Sequence, residues 1–99
     1  MRVGGPPATL VAVSLSQIEY FVAVAEEGHV GRAARKLCVA QPAVSRQIRR
    51  LEEELRAPLF VRTSRGMSLS QAGAVFLGHA RRILAGVHAA REAVEGSPE

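Results

Sequence analysis

The chain is poor in several residue types, and each shortage excludes a class of protein. Cys38 is the only cysteine in 99 residues. That excludes a disulfide framework and a cysteine-rich zinc site. Tryptophan is absent, and three Phe with one Tyr leave a small, aliphatic core. No apolar run is longer than a few residues, so no segment reads as a transmembrane helix. The Leu10-Val11-Ala12-Val13 run is too short for a signal-peptide core and no cleavage site follows it, so the expected compartment is the cytoplasm. The length suits one domain and does not fit a two-domain enzyme. Aspartate is missing altogether, and 12 of the 13 basic residues are arginine.

What is present is positive charge. The net charge is +4, carried by a residue whose forked guanidinium suits phosphate and base edges better than a lysine point charge does. A small basic domain points to a polyanionic partner, most simply nucleic acid. Composition alone leaves a ribosomal-type or membrane-surface protein open.

Along the chain, residues 1–14 read as a tail, with Gly4-Gly5-Pro6-Pro7 turn-forming and aperiodic. Ser16 and Glu19 form an expected capping box, with Leu15 and Tyr20 as its staple. Ile18, Phe21, Val22 and Ala25 then recur at helical spacing, and Gly28 ends this first helix near Glu27. A second helix is predicted over Gly31 to Leu37, with Ala33, Ala34 and Leu37 inward. After a turn at Cys38-Val39-Ala40, a third begins at Gln41-Pro42, where proline is tolerated in a first turn. Val44, Ile48, Leu51 and Leu55 make its expected buried stripe. Leu59 to Val61 and Met67 to Leu69 read as short strands joined at Thr63-Ser64-Arg65-Gly66. A long helix is predicted from Ser70 to about Glu95, and residues 96–99 form a C-terminal tail. Phe76, Ala80, Ile83, Val87, Ala90 and Val94 repeat there every three or four residues, the seam of helix-on-helix association. All six are expected at a dimer interface, with the early part of the seam serving partly as core as well.

Two helices joined by a short turn, the second with a polar and basic front, make a helix-turn-helix. The following hairpin makes it winged. The predicted fold is therefore mainly α: a winged helix-turn-helix of three helices plus a β-hairpin over 15–69, then a linker or dimerisation helix over 70–95. The third helix offers Gln41, Pro42, Ser45, Arg46 and Arg49 in its first turns. Glutamine suits adenine, arginine suits guanine, serine suits base or phosphate, and proline offers an apolar surface to a thymine methyl. Its charge order, Arg46, Arg49 and Arg50 before Glu52, Glu53 and Glu54, opposes the helix dipole. The bland alternative is a solvated ladder of Arg49–Glu53 and Glu52–Arg56 pairs. In the hairpin, Arg65 at the tip is expected in the minor groove and Arg62 on phosphate; the alternative is two solvated turn arginines.

The run from Ala33-Ala34 through Leu37-Cys38-Val39-Ala40-Gln41-Pro42-Ala43-Val44-Ser45-Arg46-Gln47-Ile48-Arg49-Arg50-Leu51-Glu52 and Leu55 carries a resemblance. Pro58-Leu59-Phe60-Val61-Arg62-Thr63, Arg65-Gly66, Leu69-Ser70, Ala72-Gly73 and the upstream Tyr20-to-Glu26 segment extend it. Together they closely resemble the N-terminal DNA-binding domain of LysR-type transcriptional regulators, over about residues 15–95. The resemblance implies a dimer that binds interrupted palindromes in double-stranded DNA. It implies base and phosphate contacts at Gln41, Pro42, Ser45 and Arg46, and a wing arginine at Arg65. Three positions depart from the family pattern, all at helix ends: Gly31 and Ala40 where a hydroxyl residue usually caps, and Arg56 in place of glycine. These predict a less stable fold. Family members continue into an effector-sensing domain about twice this length. The chain is then expected to be a fragment or truncated product, binding DNA without a small-molecule effector.

Other residues invite roles that the sequence does not support. Cys38 is expected to be a small packed residue rather than a redox switch. His79 and His88 are nine positions apart and cannot clasp one metal within a chain, while His29 is expected to be solvated at a helix boundary. No catalytic set, cofactor or metal is expected. The rival reading is a helical interaction module that acts through mixed dimers with full-length relatives.

Overall fold

Six elements follow one another in the computed structural model, which describes residues 12–98. They are α1 (Leu15–Glu27), α2 (Val30–Leu37), α3 (Gln41–Leu55), β1 (Phe60–Thr63), β2 (Gly66–Leu69) and α4 (Gln71–Glu95). The tail expected at the N-terminus lies outside the described residues as far as residue 11.

Helix α1 starts earlier than the sequence suggests. Its cap is Ser14, whose hydroxyl accepts from Gln17 N at 3.1 Å while Gln17 Oε1 accepts from Ser14 N at 3.1 Å. The expected Ser16–Glu19 box is the same pattern displaced by two residues. The observed register puts Gln17 and Ile18 inside, leaves Glu19 outside, and brings Val13 onto the core. Val13 and Ile18 therefore occupy the two positions of a hydrophobic staple, not Leu15 and Tyr20. The helix ends at Gly28, in the left-handed region at φ 67°.

Helix α2 begins at Val30, one residue before the expected start, because its cap is His29 rather than Gly31. The His29 ring nitrogen Nδ1 accepts from Gly31 N at 3.1 Å and from Arg32 N at 3.3 Å. A left-handed residue, Cys38 at φ 60°, closes the helix. Helix α3 begins at Gln41, as expected, and runs to Leu55. Ala40 gives it no side-chain cap, and Arg56 closes it at φ 56°. Of the expected stripe, Val44, Ile48 and Leu51 are buried, but Leu55 is 37% exposed. Leu55 lies in the closing turn, one turn beyond the point where the core ends.

The core is centred on Phe21, which is fully buried with Leu51, Leu59, Val24 and Val44. Its ring tilts onto Phe60 at 5.2 Å and meets Phe76 edge-on at 5.0 Å. One side chain thus joins α1 to the hairpin and to α4, and its burial contributes about 1.5–3 kcal/mol. Buried Gln17 adds a polar link, its Nε2 donating to Gln47 Oε1 on α3 at 3.2 Å.

The hairpin is antiparallel, with Phe60 opposite Leu69, Val61 opposite Ser68, Arg62 opposite Met67 and Thr63 opposite Gly66. Its strands run further into the turn than expected and leave Ser64-Arg65 as a two-residue tip. Thr63 Oγ1 accepts from Arg65 N and donates to Gly66 O, both at 3.2 Å. Hydrogen bonds also tie the hairpin to α1 and to the start of α4. Met67 N donates to Gly28 O at 3.0 Å. The Ser70 hydroxyl, which caps α4 by accepting from Gly73 N, donates to Pro58 O at 2.6 Å.

Candidate nucleic-acid interface

The buried side of α3 determines what its opposite side shows. With Val44, Ile48 and Leu51 inward, Pro42, Arg46 and Arg49 fall on the exposed side, as about 100° per residue requires. Ser45 is half-buried and lies with Arg49 and Arg62 along a crevice between α3 and the hairpin, floored by Ile48 and Met67. Gln41, exposed at the start of α3, turns to the other flank. It borders a shallow depression with His29, Gly31 and Arg35. A Cβ placed on Gly31 would stand 3.2 Å from Gln41 Oε1. Positions spaced by four drift about 40° around a helix at each step. Gln41 therefore serves one recess, and Ser45 and Arg49 the adjoining one.

The electrostatics divide the molecule. Arg32 pairs with Glu27, Lys36 with Glu26 and Glu27, Arg81 with Glu26, and Arg91 with Glu95. All of these lie on α1, α2 and α4. Among the described residues, Arg46, Arg49, Arg62 and Arg65 enter no ion pair, and each is exposed. Neither Arg49–Glu53 nor Glu52–Arg56 is among the ion pairs of the described residues, so the solvated ladder is not what α3 carries. The Glu52 carboxylate instead accepts from Leu59 N at 2.7 Å and from Phe60 N at 3.3 Å.

Three residues that border this surface were not singled out as site residues from the sequence. Histidine is not among the favoured capping types, so His29 gave no strong signal. Arg35 and Glu52 read as ordinary members of solvated faces. Cys38 is exposed in the turn between α2 and α3, not packed. Its left-handed conformation turns the chain sharply and leaves the side chain outside the core.

The six seam positions separate along α4. Phe76 is half-buried against Phe21, and Ala80 is fully buried. Ile83 is 40% and Val94 74% exposed; Val87 is half-buried and Ala90 exposed. The helix outruns the core, and its apolar repeat continues onto open surface. No helix among the described residues is long and apolar enough to cross a membrane.

A helix-turn-helix whose second helix presents unpaired arginines, with a basic-tipped hairpin beside it, defines the winged helix-turn-helix class. The family model described as "Bacterial regulatory helix-turn-helix protein, lysR family" matches residues 15–74, and the chain belongs to that family. It is 54% identical over 68 residues to the HTH-type transcriptional regulator ClcR of Pseudomonas putida, an alignment covering 69% of this chain and 23% of that protein. Its fold matches the BenM DBD in complex with benA site 1 DNA, with a TM-score of 0.80 and 41% identity over 84% of this chain and 96% of that one. It also matches full-length CbnR complexed with its target DNA, with a TM-score of 0.73 and 44% identity over 81% of this chain and 28% of CbnR.

Proposed function

We propose that the chain binds double-stranded DNA sequence-specifically, as a dimer, and forms the DNA-binding part of a LysR-type transcriptional regulator. The observation that carries this is the segregation of charge. Among the described residues the ion-paired cations lie on α2 and α4, while no arginine of α3 or the hairpin is ion-paired, and Arg46, Arg49, Arg62 and Arg65 all face solvent. Solvated arginines held on a rigid helix and hairpin are available to phosphate at no loss of an existing partner. The DNA complexes of the BenM DBD and CbnR support the same reading.

In this reading the front of α3 enters the major groove. Gln41, Ser45 and Arg46 take base edges and phosphate, Pro42 meets a thymine methyl, and Arg49 and Arg62 take phosphate on either side of the crevice. Arg65 reaches the minor groove. Residues 15–69 form the binding unit, and residues 70–95 form the dimer helix through Ile83, Val87, Ala90 and Val94, with Phe76 and Ala80 giving it its footing. The site needs no cofactor, metal, small-molecule effector or catalysis, and it works in the cytoplasm.

Selection from a randomised duplex pool at two salt concentrations tests this, with Gln41→Ala and Arg46→Ala in parallel. Enrichment of an interrupted palindrome, lost in both variants, is the expected result. Weak binding that is equal on all sequences and vanishes with salt would leave phosphate attraction alone. It would favour the module that acts through mixed dimers.

A further inference from the structure

The recognition helix and the hairpin touch very little, yet DNA contact by both requires a fixed spacing between them. Among the described residues, the only hydrogen bonds between α3 side chains and the hairpin segment are those of Glu52, at 2.7 Å to Leu59 N and 3.3 Å to Phe60 N. Both receiving residues are buried, Leu59 at 1% exposure and Phe60 at 8%. Their amides need an acceptor, and a carboxylate supplies a strong, charge-assisted one. Glu52 stands in the last turns of α3, where a negative charge opposes the helix dipole, and it forms no ion pair that would offset this. Helix stability does not account for an acid at this position; the two amides do. Glu52 also lines the crevice that holds Arg49 of the helix and Arg62 of the hairpin.

We infer that Glu52 is a positioning residue: its carboxylate sets the stance of the wing relative to the recognition helix, and so determines whether Arg65 reaches DNA while α3 is seated in the groove. The inference rests on the DNA-binding reading above. The remaining hydrogen bonds, Met67 to Gly28 and Ser70 to Pro58, fix the hairpin to α1 and to the entrance of α4, as does the packing of Phe60 on Phe21; none of these reaches α3. Glutamine can stand in for the acceptor. Methionine keeps the apolar stem and helix propensity but has no carboxylate oxygen.

The test has a DNA-free arm and a DNA-bound arm. In amide exchange on the free chain, Glu52→Met is expected to speed exchange at Leu59 and Phe60 at least tenfold relative to Val24 in α1, and Glu52→Gln to leave that ratio unchanged. Measuring the ratio separates a freed wing from a globally weakened fold. In affinity measurements on the duplex selected by the wild-type chain, Arg65→Ala is expected to weaken binding several-fold in wild type and in Glu52→Gln. In Glu52→Met it is expected to weaken binding less than twofold. Unchanged exchange at Leu59 in Glu52→Met, or equal losses from Arg65→Ala in all three backgrounds, would overturn the role of Glu52. A wild-type chain that selects no duplex, with the exchange result intact, would instead sink the DNA-binding reading and leave Glu52 a purely structural tether.

Discussion

Gly73, in the first turn of α4, lies directly against the carbonyl oxygen of Leu59 at the entrance to the wing, with no room for a Cβ between them. Helix propensity alone favours alanine over glycine inside a helix by about 1 kcal/mol. The close approach reverses that sign. Gly73→Ala is expected to destabilise the fold by about 1–3 kcal/mol, the usual range for overpacking. Chemical denaturation monitored by helical signal measures it, and a stabilised variant would refute the contact.

Ala40 and Arg56 stand at the two ends of α3 without the usual chemistry. Ala40→Ser supplies an acceptor for a first-turn amide and should add about 1 kcal/mol. Arg56→Gly relieves a side chain held at φ 56° and should add about 1 kcal/mol. Each change is expected to raise the thermal midpoint by about 4–8 °C in a domain of this size. The cap of α2 works in the other direction: His29→Ala is expected to cost about 1 kcal/mol, with His29→Asn recovering most of it.

The unpaired arginines carry a quantitative expectation. Arg49→Ala, removing one phosphate contact, should lower the slope of log affinity against log salt by about 0.9. Arg81→Ala is the control, because Arg81 is paired with Glu26 at 3.4 Å and lies on α4. Titration of a selected duplex at four salt concentrations checks both. Equal changes in slope would remove the distinction between the two charged surfaces.

The open end of the α4 repeat should control assembly. Ile83→Glu with Val94→Glu changes two exposed positions, so the monomer fold is expected to keep its thermal midpoint within a few degrees. Sedimentation equilibrium should show a dimer dissociation constant at least tenfold higher than in wild type, with loss of palindrome binding. A persisting dimer would place the interface elsewhere.

Much of this architecture was legible in the residues. The spacing of Val44, Ile48 and Leu51, the stop at Gly28 and the turn at Thr63-Ser64-Arg65-Gly66 carried the helices and hairpin, because periodic burial and turn chemistry are local properties. The misplaced features depend on long-range partners. Ser14 and Ser16 offer the same capping pattern, and the choice between them lies with Gln17, which must meet Gln47 thirty residues away. Leu55 continues a perfect apolar spacing past the edge of the core. Glu52 reads as one of three consecutive acids, and nothing local distinguishes the one that receives the Leu59 and Phe60 amides.

The hydrogen bond from Met67 N to Gly28 O joins the chain just before α2 to the chain just after the wing tip. Everything between those residues, including the turn, α3 and the hairpin tip, is thereby a closed loop whose two ends touch. That ring is clasped at one point and filled from outside, since Gln17 and Phe21 of α1 reach Gln47 and Phe60 within it; opening the clasp would loosen the hairpin tip before it disturbed α3.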